Sequence, residues 1–209
     1  MDIANLSDFD GSCVHYWASA VETRLCSGQE VVLCGAGNSA GQATVFLAGK
    51  VKKLWMVVRG RDLESTMSQY LIDRIRALPN VEVMLRTEIC GLEGTEGNLK
   101  QVRWRCRDTG AESCHEVGHL FSFIGAEPNT DWLGATGVQR DDKGFVMTGQ
   151  DGRHPLATTR EGIFAVGDIR CGSVKRVAAA VGEGSAVVSA VHAFLAERRA
   201  ALEQKAAAE

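Results

Sequence analysis

The 209 residues carry 23 Lys or Arg against 26 Asp or Glu, a formal charge of −3, and 45% of them are hydrophobic. This excludes a basic nucleic-acid binder, a polybasic membrane-surface binder and wholesale disorder, and it allows one large domain or two small ones. No apolar run is read as approaching the ~18 residues of a transmembrane helix, and the opening MDIANLSDFDG does not resemble a signal peptide.

In chain order, residues 1–13 read as an irregular lead-in, and Val14 to Leu25 as a short helix. Val31-Val32-Leu33-Cys34 is a continuous apolar run between Gly28 and Gly35, the signature of a parallel strand buried on both faces. A helix from Asn38 to Ala48 and a second strand from Lys53 to Val58 follow. Ser68 to Leu78 places Leu71, Ile72, Ile75 and Leu78 at helical spacing and stops at Pro79-Asn80. Val81 to Leu85 completes a βαβαβ unit, which predicts a parallel sheet with helical crossovers. Runs near 88–93, 99–107 and 113–124 are separated by Gly94-Thr95-Glu96-Gly97-Asn98 and Asp108-Thr109-Gly110, so an antiparallel meander is expected. Gly125 to Thr130 reads as the boundary between residues 14–124 and a second domain over 125–209. That second part is expected to hold a strand at Gly162–Val166, a long helix from Lys175 to Arg199 and a fraying helical tail from Ala200. No internal repeat is present.

Glycine is the compositional departure, at 23 residues or about 11% against a usual ~7%. Gly35-Ala36-Gly37-Asn38-Ser39-Ala40 fits G-x-G-x-x-A between a strand and a helix, the dinucleotide-binding variant. Gly35 permits the tight turn, Gly37 lets backbone approach a pyrophosphate, and Ala40 allows close helix–strand packing. The helix start supplies N–H donors and the positive end of its dipole. The second strand ends in Val58-Arg59-Gly60-Arg61, with no carboxylate before Asp62. Guanidinium groups at Arg59 and Arg61 match a 2′-phosphate, so NADP(H) is expected rather than NAD(H). Gly167-Asp168, closing an apolar run, is expected to set a carboxylate at the ligand-binding edge of a sheet. The seven cysteines (13, 26, 34, 90, 106, 114 and 171) are odd in number and no two lie three apart. Neither a CxxC pair, a zinc ribbon nor a disulfide framework is expected; reduced thiols in a cytoplasmic protein without a metal site are.

GAGNSAGQA with VVRGR, then FSFIGAEPNTDWL, GIFAVGDIR and KRVAAAVGEGSAVVSAVHAFL, resemble bacterial thioredoxin reductase and its flavoprotein relatives, in that family's order, from about Gly11 to Ala196. The resemblance implies a Rossmann-like, three-layer NAD(P)-binding domain, a parallel sheet plus an antiparallel meander, followed by the C-terminal part of an FAD domain. It implies hydride passing from NADPH to FAD in a homodimer. Gly125 would lie at the crossover and Gly167 beside the flavin contact, with Asp168 on the ribityl chain. Lys175, Arg176 and Val177 would start a helix aimed at the flavin ring. Gly182 and Gly184 are expected where that helix packs closely.

Two departures shape the expected function. Tyr16 and Ser19 stand roughly where the family carries its two thiols, so no catalytic dithiol is assigned, and structural roles are expected for Cys13, His15 and Tyr16. The N-terminal FAD half with its own GxGxxG is missing, so the chain is read as a fragment, inactive alone, with FAD expected in the full-length protein and the electron acceptor unassigned. Two alternatives stay open: a ferredoxin/flavodoxin–NADP reductase activity, and a non-catalytic NADP(H)-binding module of a larger chain.

Overall fold

In the computed structural model, which describes residues 3, 5–150, 152 and 154–208, the chain divides into two compact units, Met1–Gly125 and Ala126–Glu209. The first unit is mixed α/β. Strands β1 (Val14–His15), β2 (Glu30–Cys34), β3 (Lys53–Val57), β4 (Val81–Met84) and β8 (Leu120–Ser122) form a parallel sheet in the order β1-β8-β2-β3-β4. Strands β5 (Thr87–Thr95), β6 (Asn98–Cys106) and β7 (Glu112–Glu116) form an antiparallel sheet in chain order. Helices α1 (Ala20–Leu25), α2 (Asn38–Ala48) and α3 (Gln69–Arg76) connect the parallel strands.

The side-chain period of two explains why β2 is apolar throughout. Val31 and Leu33 pack with Leu47, Leu71, Ile72 and Ile75 beneath α2 and α3. Val32 and Cys34 face the other way, into a core with Leu92, Leu99, Val102 and Trp104 of the antiparallel sheet. The parallel sheet is therefore the middle of three layers. Its carboxyl ends deliver Gly35 after β2 and Arg59 after β3 to one edge.

Two expectations for this unit change. Val14–Leu25 is not one helix: Val14 and His15 pair with Leu120 and Phe121 as an edge strand. Ser19 then caps α1 by accepting from the Val21 N–H, while Glu22 reaches back to the Ser19 N–H, a reciprocal capping box that starts the helix at Ala20. The run over 113–124 splits at Gly118. Its first part is the meander's third strand, and Leu120–Ser122 enters the parallel sheet between β1 and β2.

The second unit is built from loops, short 3₁₀ turns at Asp131–Leu133 and Gly167–Ile169, and helix α4 (Val177–Ala208). Leu133, Val138 and Val146 form its small core with Ala165 and Ile169. Gly162–Val166 is not a strand. Its backbone is spent on turns, Thr158 N–H donating to Ile163 and Ala165 N–H to Leu156, with one isolated bridge between Ala157 and Phe164. Helix α4 starts two residues later than expected and continues through the tail. It is long and apolar enough, by length and composition alone, to cross a membrane, which corrects the reading that no run approaches that length. Alanine and valine carry the stretch, and Glu183 is its one charge from Val177 to Phe194.

Candidate functional site

The turn after β2 is built around Gly35. Its φ is +149°, and a Cβ there would lie 2.6 Å from the Phe123 carbonyl oxygen and 3.0 Å from the Ala40 Cβ. The residue must be glycine because β8 and the first turn of α2 close on it. Gly37 differs: it caps α2 in extended backbone (φ −84°, ψ 176°), and a Cβ built on it meets nothing within 4 Å. No side chain caps the helix, so the first N–H groups of this eleven-residue helix have no capping partner among the described residues. Ala40 is fully buried, as close helix–strand packing requires. Asn38 and Ala36 anchor the following loop: the Asn38 Oδ1 accepts from the Ser68 N–H at 2.7 Å, and the Thr66 hydroxyl donates to the Ala36 carbonyl at 2.8 Å. Ser39 is exposed at the helix start. Gly41 lies outside the residues expected from sequence. A Cβ there would lie 2.8 Å from the Met67 sulfur and 3.1 Å from Leu71, so it seats the loop between β3 and α3; its signal was a second small residue directly after Ala40.

Arg59 and Arg61 lie exposed just beyond β3, and neither forms an ion pair among the described residues. Their charges are nevertheless felt. Asp108 is held below the usual carboxylate range first by the Arg86 hydrogen bond and then by charges that include Arg61. Glu88 is lowered by Arg105, with Arg107 and Arg59 adding to it. Cys34, buried at the end of β2, has its thiol pushed up to about 11 by burial, so it is a packing residue.

In the second unit, Gly167 has φ +74°, and a Cβ would meet that of Ala180 at 3.3 Å. Its N–H donates to Glu183 Oε2 at 2.7 Å, and Glu183 also pairs with Arg170. Sequence reasoning missed Arg170 and Glu183; the available signal was one carboxylate between two glycines on an otherwise apolar helix. Asp168 sits on an exposed 3₁₀ turn rather than after a strand, and its carboxylate has no hydrogen bond among the described residues. Lys175 donates to the Asp168 carbonyl at 2.9 Å and lies 4.0 Å over the Phe145 ring. Lys175 and Arg176 precede α4, and Val177 begins it, 83% exposed. The turn therefore brings Gly167, Asp168 and Lys175 together at the start of α4. Gly182 and Gly184 do not pack closely against anything described: a Cβ on either meets nothing within 4 Å. Gly125 closes the first unit at φ +110° in open space.

The sequence profile of the pyridine nucleotide-disulphide oxidoreductases matches residues 1–184. The chain belongs to this family. Among curated proteins it is 31% identical over 190 residues to an alkyl hydroperoxide reductase subunit of Pseudomonas putida, covering 88% of this chain and 34% of that protein. It is 30% identical over 161 residues to NADH dehydrogenase of Bacillus subtilis, covering 77% and 30%. It is 31% identical over 170 residues to thioredoxin reductase of Mycolicibacterium smegmatis, covering 81% and 52%. The chain thus spans a third to a half of these relatives. Among solved structures, Lactococcus lactis thioredoxin reductase in its FR conformation matches with a TM-score of 0.83 at 20% identity, over 94% of this chain and 62% of that one. T. acidophilum thioredoxin reductase matches with 0.78 at 24% identity, over 90% and 59%. These structural likenesses speak for the fold, and the family profile for a thioredoxin reductase-like oxidoreductase.

In this family member the segment around Tyr16 and Ser19 is a self-contained polar cluster. The Ser19 hydroxyl donates to Glu22 Oε2 at 2.5 Å, and the Trp17 indole N–H to Glu22 Oε1 at 2.9 Å. The Ser19 hydroxyl, with backbone donors and Trp17 adding to it, lowers the Glu22 carboxyl to about 2. His15 Nε2 lies 3.0 Å from His119 Nδ1, and burial lowers both imidazoles, which favours their neutral forms. Cys13 is buried, 3.4 Å from the Gly97 carbonyl oxygen and from the Leu99 N–H nitrogen. Tyr16 is half exposed, and burial raises its phenol with Asp10 adding to it.

Proposed function

We propose that the chain is the NADPH-binding part, with the C-terminal part of the FAD domain, of a thioredoxin reductase-like flavoprotein. The observation that carries the nucleotide half of the reading is the Gly35–Ala40 turn: one glycine sealed against β8, the next open to space at a helix N-terminus. A pyrophosphate fits there because unpaired N–H groups and the positive helix end lie beside a backbone with no side chain to hold it off. Arg59 and Arg61 supply bidentate donors for a 2′-phosphate where an NAD site would need a carboxylate. The Bacillus subtilis relative is by name an NADH dehydrogenase, so the nucleotide preference has to be measured for this chain.

The second unit offers an exposed carboxylate at Asp168, and the first N–H groups of α4 follow Lys175 and Arg176. These suit a flavin ribityl hydroxyl and the electron-rich side of a flavin ring. When bound, the nicotinamide supplies a hydride and the flavin accepts it. The chain's part is to grip the diphosphate, hold the adenosine end by its charge and orient both rings. Val177, Val181, Val188, Leu195 and Leu202 form an exposed apolar stripe on α4, which we assign to the complementary FAD half rather than to a lipid bilayer. Cytoplasmic location, homodimerisation and inactivity of the chain alone belong to the same reading. The polar cluster around Ser19 and Glu22 supplies no second thiol, which leaves the acceptor open between a small molecule and a one-electron carrier.

The reading is tested by Arg59→Glu with Kd measured for NADPH and NADH at one ionic strength. NADPH affinity is expected to fall at least about tenfold and NADH affinity by less than about twofold. Equal losses for both would remove the 2′-phosphate role.

A further inference from the structure

The loop Val58–Arg61 is lashed to two segments of the first unit that the nucleotide motif does not include. The Val58 N–H donates to the Met84 carbonyl at 2.9 Å, and the Arg86 N–H to Gly60 at 2.9 Å. The Thr87 N–H donates to Val58 at 3.0 Å, and the Arg107 N–H to Arg86 at 2.7 Å. The Arg107 Nη1 also reaches the Arg59 carbonyl at 3.5 Å. Arg86 leaves β4 with φ +53°, a left-handed conformation that a side-chain-bearing residue adopts at a cost. Two arginines, from the turn between β4 and β5 and the turn after β6, are thus fixed by backbone bonds against the segment that follows β3.

The charge count is lopsided in a chain that is acidic overall. Arg59, Arg61, Arg86, Arg103, Arg105 and Arg107 stand against Asp62, Glu88, Asp108 and Glu112, an excess of two positive charges. Glu88 is shared between Arg105 at 2.7 Å and Arg107 at 3.5 Å, so it neutralises only one of them. Arg103, the next guanidinium along β6, shares Glu112 with Arg105, at 3.7 and 3.8 Å. Arg86 gives its Nε and Nη2 hydrogens to one Asp108 oxygen, at 2.9 and 2.5 Å. Of a guanidinium's five N–H donors, that leaves three. Asp108 itself is half exposed on the turn between β6 and β7, a carboxylate standing where an anion is wanted.

We propose that Arg86 and Arg107 complete, with Arg59 and Arg61, a four-guanidinium cradle for the 2′-phosphate of NADP(H), and that Asp108 competes with that phosphate for Arg86. This rests on the NADPH reading and extends it from the nucleotide motif to the meander. A dianionic phosphate matches the excess charge, and the backbone bonds hold the main chains of Val58–Gly60, Arg86 and Arg107 beside one another. No bond is made or broken; the role is discrimination between nucleotides.

The test is calorimetric titration of the full chain with 2′,5′-ADP and with 5′-AMP at fixed salt, for the parent, Arg86→Gly, Arg107→Gln and Asp108→Asn. Glycine suits the left-handed backbone at position 86, so that variant removes the guanidinium and keeps the turn. Arg86→Gly and Arg107→Gln are each expected to weaken 2′,5′-ADP about tenfold and leave 5′-AMP unchanged, the size of one charge-assisted contact. Asp108→Asn is expected to tighten 2′,5′-ADP about threefold by freeing Arg86. Unchanged 2′,5′-ADP affinity in both arginine variants overturns the proposal while leaving the NADPH reading standing, as does equal loss of both ligands. A parent chain that does not prefer 2′,5′-ADP overturns the NADPH reading and this proposal with it.

Discussion

Replacing Gly35 and Gly37 by alanine separates the two jobs of the turn, because the same methyl group meets opposite surroundings two residues apart. At Gly35 the new Cβ would sit 2.6 Å from a backbone carbonyl oxygen and 3.0 Å from the Ala40 Cβ, at φ +149°. The strained backbone costs about 1–3 kcal/mol. Because the atom in the way is main chain of β8 (extended through Phe123), relieving the overlap moves the sheet and adds about 1–3 kcal/mol, as overpacking does elsewhere. Gly35→Ala is therefore expected to lose about 2–6 kcal/mol of stability. At Gly37 the backbone is already one that alanine adopts, and nothing lies within 4 Å. Gly37→Ala should leave stability within about 0.5 kcal/mol. It would instead fill the space a pyrophosphate needs, forfeiting a charge-assisted hydrogen bond of about 1.5–3 kcal/mol, or about 10- to 100-fold in affinity. Urea unfolding followed by tryptophan fluorescence gives the first quantity and NADP⁺ titration the second. If Gly37→Ala binds like the parent, or if it loses stability as Gly35→Ala does, the assignment of the open side of this turn to a ligand is wrong.

Glu22→Gln tests the capping cluster. The Ser19 hydroxyl and its companions depress the folded-state carboxyl to about 2 from 4.5, so the unfolded chain binds the extra proton between those values. The stabilisation is present above about pH 4.5 and lost as pH falls towards 2. The variant should lose about 1–2 kcal/mol near neutrality and flatten the stability profile below about pH 4.5; an unchanged acid slope refutes it. Glu183→Gln strips a half-buried guanidinium and the Gly167 N–H of a charged partner, so it should cost about 2–3 kcal/mol in urea unfolding of the second unit. Asp168→Ala should leave NADP(H) affinity unchanged, and a large loss would contradict the division of the sites between the two units.

How much was legible depended on whether local pattern and final environment agreed. The β2 run, α2 and the glycine turn could be read because continuous burial, helix-start chemistry and glycine geometry point the same way over Val31–Ala48. Leu120–Ser122 reads as meander because short apolar runs carry no mark of which sheet they join; only the pairing with Val32–Cys34 decides it. Val14–His15 is lost into a helix for the same reason, although Ser19 and Glu22 spell out the capping box. Gly162–Val166 has strand composition but finds no ladder among the described residues. In the site, Arg59 and Arg61 follow from their place after β3, whereas Arg86 and Arg107 lie on turns far along the chain and meet that segment only through tertiary hydrogen bonds.

Whether this chain carries an NADPH site at the Gly35 turn is decided by amide chemical-shift mapping during titration with NADPH and, separately, NADH. NADPH is expected to bind at least about tenfold more tightly, with the largest shifts on Gly35–Ala40 and Arg59–Arg61. Shifts elsewhere with these amides unmoved, or equal affinity for the two nucleotides, would contradict the assignment.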